Sequence, residues 1–257
     1  MEALSSLVEA LASATVRIVD LTQPLSEATP IIRLPDPLAN TPGWTMHEIS
    51  HYDDRGPAWY WNWFEGGEHV GTHLDAPIHW VTGKGADDVS EIPPQRLIGP
   101  AVVIDKTAEA ASDPDYLLTV EDIETFQAEH GPLPEGGWLL YRTGWDARAH
   151  NAEAFLNADE AGPHTPGIGI EAARWLAEES PILGIGVETV GVDAGAAHSF
   201  DPAFPCHHFM LGANKYGLTQ LQNLALLPPT GAVLLVAPLP IVGGSGSPTR
   251  VLALVER

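Results

Sequence analysis

Cysteine is almost absent from this chain. The single Cys206 in 257 residues excludes an intramolecular disulfide and a cysteine-based structural zinc site. Beside His207 it offers a nucleophile with a neighbouring base, but a lone small hydrophobe is the simpler role. Basic side chains are also scarce. Twelve Lys and Arg against 34 Asp and Glu leave a net charge of -22, which repels phosphate backbones and anionic lipid, so nucleic acid and membrane surfaces are not expected partners. The same charge favours a neutral substrate over a highly anionic one. No run of about 18 apolar residues is present. Residues 1–14 place Leu4, Leu7, Val8 and Leu11 at helical spacing, an N-terminal helix without the basic start of a secretion signal. A cytoplasmic protein is expected. Neither a fixed-period repeat nor a low-complexity linker divides the chain, which reads as one domain over residues 1–257, long enough to bury about three quarters of its unfolded surface.

What is present alternates strand with helix. Thr15–Leu21, Met46–Tyr52, Gly99–Asp105, Trp138–Thr143, Ile182–Val192 and Val233–Ala237 read as strands, the last of them as the final core strand. Thr119–Glu129, with Thr119 as N-cap and Asp122 three residues on, Asn151–Asn157 and Gly169–Glu178 read as helices. Residues 217–227 read as helix or turn. Pro30, Pro35, Pro37 and Pro42 make residues 28–45 a long loop, the kind that is functional or reaches a neighbour. The pattern predicts a mixed α/β domain.

The chemistry concentrates in residues 69–79. His69, His73 and Asp75 supply two imidazoles and a carboxylate, a set that divalent transition metals prefer and that leaves positions open for water and substrate. Gly71 and Pro77 argue against a helix. In an extended backbone His73 and Asp75 project to the same side, and Gly71 lets the chain double back to bring in His69. His79, beyond the restricted Ala76-Pro77 step, is placed to act as a base on a metal-bound water. The competing reading, four ordinary polar side chains, is weakened by their density. Just upstream, Trp59-Tyr60-Trp61-Asn62-Trp63-Phe64 packs five aromatic rings into six residues. It suits either a core or subunit interface, or a flat wall for a planar substrate, with Trp59, Trp61 and Trp63 on one face and Phe64 on the other; Trp80 would extend that wall. The Gly-rich 243–247 lacks the lysine and helix of a phosphate loop, and reads as backbone that must approach the site or a strand closely.

His-x-Gly-Thr-His-x-Asp-Ala-Pro-x-His, running from His69 to His79, resembles the signature of the metal-dependent cyclase-like hydrolases, the family that holds bacterial kynurenine formamidases and isatin hydrolases. Val19–Ser26 is similar to the family's opening strand and Gly243–Val251 to its closing segment, so the resemblance covers about residues 15 to 257. It implies a swivelling β/β/α domain with a central barrel-like mixed sheet flanked by helices. It also implies a homodimer in which the proline-rich and aromatic segments cross to the partner. Asp193 resembles the family's strand-end aspartate near the site, and an N-cap or turn role explains it equally well. The family's distal histidine falls best on His208, by its spacing to Leu211, with His207 as the alternative. Gln222 stands where formamidases carry a glutamate that completes a second metal site. A neutral amide is a poorer ligand, so the resemblance implies the single-metal branch of the isatin hydrolases, with the distal histidine as a proton relay.

The expected activity is metal-dependent hydrolysis of a small planar aromatic amide. One divalent ion, Mn2+ favoured and Zn2+ possible, is held by His69, His73 and Asp75, while His79 passes a proton to the leaving nitrogen. Opening of the isatin lactam to isatinate is the first expectation, and release of formate from N-formylkynurenine the second. From other classes come a non-catalytic metal-binding protein on the same scaffold and a structural interaction module.

Overall fold

The computed structural model describes residues 2–35 and 37–257. Met1, at the start of the expected first helix, and Asp36, in the expected proline-rich loop, lie outside the described residues. Ten strands carry the architecture: β1 (Val16–Asp20), β2 (Thr45–His51), β3 (Tyr60–Glu65), β4 (His73–Asp75), β5 (Ile98–Asp105), β6 (Trp138–Arg142), β7 (Gly184–Val187), β8 (Tyr216–Thr219), β9 (Ala232–Pro238) and β10 (Gly246–Glu256). Five α-helices accompany them: α1 (Glu2–Ala12), α2 (Thr107–Ser112), α3 (Val120–His130), α4 (Ala152–Leu156) and α5 (Ile170–Glu178).

Seven of these strands close a mixed barrel. Running β10-β9-β5-β6-β7-β8-β4, the ring is completed where β4 pairs back onto β10, and β1 extends β10 on its free edge. β5, β6, β7 and β8 are mutually parallel, whereas β4 is antiparallel to both its neighbours. Three-residue β4 is therefore the clasp: Asp75 lies opposite Gly217 on one side and Gly246 on the other.

Period-two alternation sorts the core into layers. Ala101, Val103, Trp138, Leu140 and Leu218 fill the barrel together with Leu74, Leu234 and Val251. Their sequence neighbours Val102, Ile104, Leu139 and Tyr141 face outward against Ile123 and Phe126 of α3 and Ala172 and Leu176 of α5. α3 starts as its sequence predicts. The Thr119 side chain accepts from the Asp122 backbone N–H, and the Asp122 carboxylate accepts from the Thr119 N–H, a reciprocal cap.

Glu188, just past β7, is 1% exposed. One carboxylate oxygen accepts from the backbone N–H groups of Thr143 at 2.8 Å and Trp145 at 3.0 Å, tying down the turn after β6. The other has no hydrogen-bond partner among the described residues. Burial, reinforced by the charge of Asp146, pushes this carboxyl up to about 7 against the pull of those hydrogen bonds.

Three expectations need correction. Residues 217–227 are not a helix: Gly217 to Thr219 belong to β8, whose inward side chains close the barrel, and only Leu224–Leu226 make a helical turn. Val233–Ala237 is not the final strand, because the eleven-residue β10 follows it. Ile182–Val192 is strand only over Gly184–Val187. The proline-rich loop is borne out, as the described residues between 23 and 44 carry neither helix nor regular strand. β2 and β3 form a hairpin that pairs only with itself.

Candidate active site

Asp75 is the hub. As expected for a spacing of two in an extended chain, His73 and Asp75 project from the same face of β4 while Leu74 enters the barrel. The glycines opposite Asp75 make room for this: a Cβ on Gly217 would lie 3.0 Å from the carboxylate, and one on Gly246 would lie 2.5 Å from the His69 ring. Gly71, at φ +62, turns the chain so that His69 folds back over the strand.

Three imidazoles converge on the carboxylate. His69 Nδ1 lies 2.8 Å from Asp75 Oδ1, His73 Nε2 lies 3.4 Å from the same oxygen, and His207 Nε2 lies 3.8 Å from Oδ2. His73 donates from Nδ1 to the Gly71 carbonyl at 2.7 Å, which leaves its Nε2 lone pair facing Asp75. His79 rises from the short turn Pro77–His79 and stacks on His69, ring centres 3.9 Å apart. Nitrogens of His69 and His79 and an oxygen of Asp75 all lie within 4.8 Å of one another. The structure thus gathers all four residues of the signature. The tightest group of ligand atoms takes His79 in addition to His69 and Asp75, while His73 flanks the same oxygen.

The donor set fits a divalent cation. Asp75 is 1% exposed, and no Lys or Arg pairs with it among the described residues. A buried carboxylate ringed by imidazoles calls for an opposite charge of its own. Burial opposes the charge on Asp75, yet the adjoining His69 and His73 rings hold its carboxyl well below the ordinary range. Burial pushes His79 down to about 3 despite the nearby Asp75, so its ring is neutral at pH 7.

The distal histidine at the site is His207. The expectation of His208 is not met: its ring packs on Phe209, and its carbonyl accepts from the Thr82 hydroxyl at 2.7 Å. Residues 207–211 form a π-helical turn rather than an α-helical one, which sets which of two adjacent histidines faces inward, a register that spacing to Leu211 does not reveal. Asp193 holds this turn. Its carboxylate accepts from the backbone N–H of Cys206 at 2.7 Å and of His207 at 3.2 Å, and from His207 Nδ1. Burial lowers the His207 pKa and Asp193 raises it, and the net shift is upward.

Gln222 does not reach the histidines. Its side-chain amide donates to the Leu221 carbonyl at 3.3 Å and its backbone N–H to Leu21, so it belongs to the junction with β1, and the inference drawn from it about metal number has no structural footing. The aromatic segment divides likewise. Trp59, Trp61, Trp63 and Phe64 are each about half exposed on the self-paired hairpin, where Trp63 stacks on His47 and Phe64 on Trp44. None of these stacks includes a histidine of the cluster. Trp80 alone stands at the site as expected, its ring 4.7 Å from His207 and 5.6 Å from Phe204. Phe204, Thr219, Glu68 and Ser245 also border the cluster, and only the last two carried any signal, one lying within the signature and the other in the Gly-rich segment.

A family model described as "Putative cyclase" matches residues 19–194. The chain belongs to the cyclase family. Among its relatives, the chain is 48% identical to an isatin hydrolase of Roseibium aggregatum, over 99% of this chain and 98% of the relative. It is 29% identical to a kynurenine formamidase of Salinibacter ruber, over 71% of this chain and 74% of the other. Its fold superposes on a crystal structure of an isatin hydrolase bound to the product analogue thioisatinate with a TM-score of 0.97, at 47% identity, covering 100% of this chain and 98% of that one. The chain is thus a cyclase-family hydrolase fold with the barrel that the signature implied. Among the described residues no helix is long and apolar enough to cross a membrane.

Proposed function

We propose that this protein is a metal-dependent amidohydrolase that opens the lactam ring of isatin to isatinate. The observation that carries the proposal is full-length similarity to isatin hydrolases, 48% over 99% of the chain, together with a complete signature gathered around one buried carboxylate. His69, His73 and Asp75 would hold the cation, for which mixed nitrogen and oxygen donors favour Mn2+ and admit Zn2+. A divalent cation there supplies Lewis acidity, polarising an amide carbonyl and acidifying a water.

The residues of the chain do the rest. His79, stacked over His69, accepts the proton of the attacking water and returns it to the lactam nitrogen as the C–N bond breaks. His207, anchored by Asp193, presents Nε2 beside Asp75 and, in the protonated form that Asp193 favours, is placed to donate to a substrate carbonyl oxygen. Trp80 and Phe204 give a planar ring something flat to pack against.

The proposal extends to a homodimer and to a cytoplasmic location. Hairpin β2–β3 pairs with no other strand and exposes Trp61, Trp63, Phe64 and Met46, an apolar surface that a second copy would cover. The deciding experiment offers isatin and N-formylkynurenine to chelator-stripped protein reloaded with Mn2+ or Zn2+. Turnover of isatin with about one ion per chain is the expected result. Preferential release of formate would transfer the assignment to an arylformamidase; the Salinibacter ruber relative is named a kynurenine formamidase.

A further inference from the structure

His69 faces the carboxylate with one nitrogen and something else with the other. Its Nε2 lies 2.9 Å from the Ser245 hydroxyl, which the Gly-rich segment brings over the ring. That hydroxyl donates to Glu68 Oε2 at 2.6 Å, and the Ser245 backbone N–H donates to the same oxygen at 3.1 Å. The Ser245 carbonyl is occupied too, accepting the Ala76 N–H at 3.0 Å. The serine is therefore fixed at backbone and side chain. Since its single hydroxyl proton goes to Glu68, it offers His69 only a lone pair. Nε2 then carries the hydrogen, and in the neutral ring the lone pair is on Nδ1, the nitrogen turned toward Asp75 Oδ1, 2.8 Å away.

From this chain of contacts we propose that Ser245, locked by Glu68, is a positioning residue that selects the His69 tautomer and presents Nδ1, not Nε2, to the cation. The inference rests on the metal-centre reading above. Groups that orient a ligating imidazole through its far nitrogen typically change metal affinity by roughly 10–100-fold when removed. Glu68→Gln is the informative change. A neutral amide oxygen at position 68 holds the hydroxyl proton less strongly than a carboxylate does, which releases the Ser245 proton toward Nε2 and shifts the ring hydrogen to Nδ1, where it obstructs the cation. Ser245→Ala removes the acceptor, and Ser245→Thr keeps it.

The test is Mn2+ affinity by competition with a fluorescent chelator for the wild type and these three variants, alongside thermal unfolding of the metal-free forms. In addition, 15N spectra of 113Cd-loaded protein would report which His69 nitrogen couples to the metal. Expected are affinity losses of roughly 10-fold or more for Glu68→Gln and Ser245→Ala, near wild-type affinity for Ser245→Thr, and coupling to Nδ1. Unfolding midpoints of the metal-free forms should be unchanged. Wild-type affinity in both weakened variants, a matching loss of metal-free stability, or coupling to Nε2 would overturn the inference while leaving the metal centre intact. A wild type that takes up no divalent ion would overturn both.

Discussion

His73 and His79 both approach the Asp75 carboxylate, and replacing each in turn separates holding the ion from moving the proton. His79→Ala should keep about one ion per chain and lose roughly 10²–10⁴-fold in turnover, the usual worth of a positioned base. His73→Ala should lose the ion. Elemental analysis beside isatin kinetics checks both, and loss of the ion from His79→Ala alone would make His79 the third ligand, as the 4.8 Å grouping allows. At this scale the sequence was most legible where chemistry is local. The period of two in β4 put His73 and Asp75 on one face, and glycine at 71 allowed the fold-back of His69. It was least legible for His207. Adjacent histidines differ only in which way a helical turn points them, and that turn is π-helical and set by Asp193, fourteen residues away.

Elements can be read in proportion to how much of their stability is their own. Helix α3 announced itself through Thr119 and Asp122, whose cap is local, and Thr119→Ala should cost about 1 kcal/mol in chemical denaturation. β8 and β10 did not announce themselves, because glycines at 217 and 246 weaken a strand pattern, and here they are required by the carboxylate between them. Glu188 gives a test at this scale. Its folded pKa of about 7 lies above the ordinary 4.5, so between those values the folded state holds a proton that the unfolded chain has released. Stability then falls as pH rises through that window, by about 3 kcal/mol from this group. In Glu188→Gln that contribution disappears, and unfolding free energies at pH 5 and pH 8 should differ by correspondingly less than in the wild type.

For the whole molecule, the α/β character was readable from alternation, and the barrel followed from the family signature rather than from any pattern of spacing. Closure depends on β4 meeting strands about 140 and 170 residues further along the chain, a pairing that no local signal encodes. The aromatic hairpin shows the opposite limit. Its density was plain, but whether it lines a site or meets another molecule depends on what lies across from it. Ser replacements at Trp61 and Trp63 should shift sedimentation from dimer to monomer if the hairpin is the dimer surface. An unchanged dimer would move the interface elsewhere.

β10 comes after every other element in chain order, yet it pairs with β1, β4 and β9. During synthesis His69, His73 and His79 have left the ribosome long before the strand that seats them. Ser245 and Gly246, which abut His69, arrive only after more than 170 further residues. A partial chain thus carries the ligand residues without the seam that arranges them, and neither nascent nor clipped molecules should acquire a working centre. Competence for catalysis is conferred last, by the same eleven residues that finish the barrel.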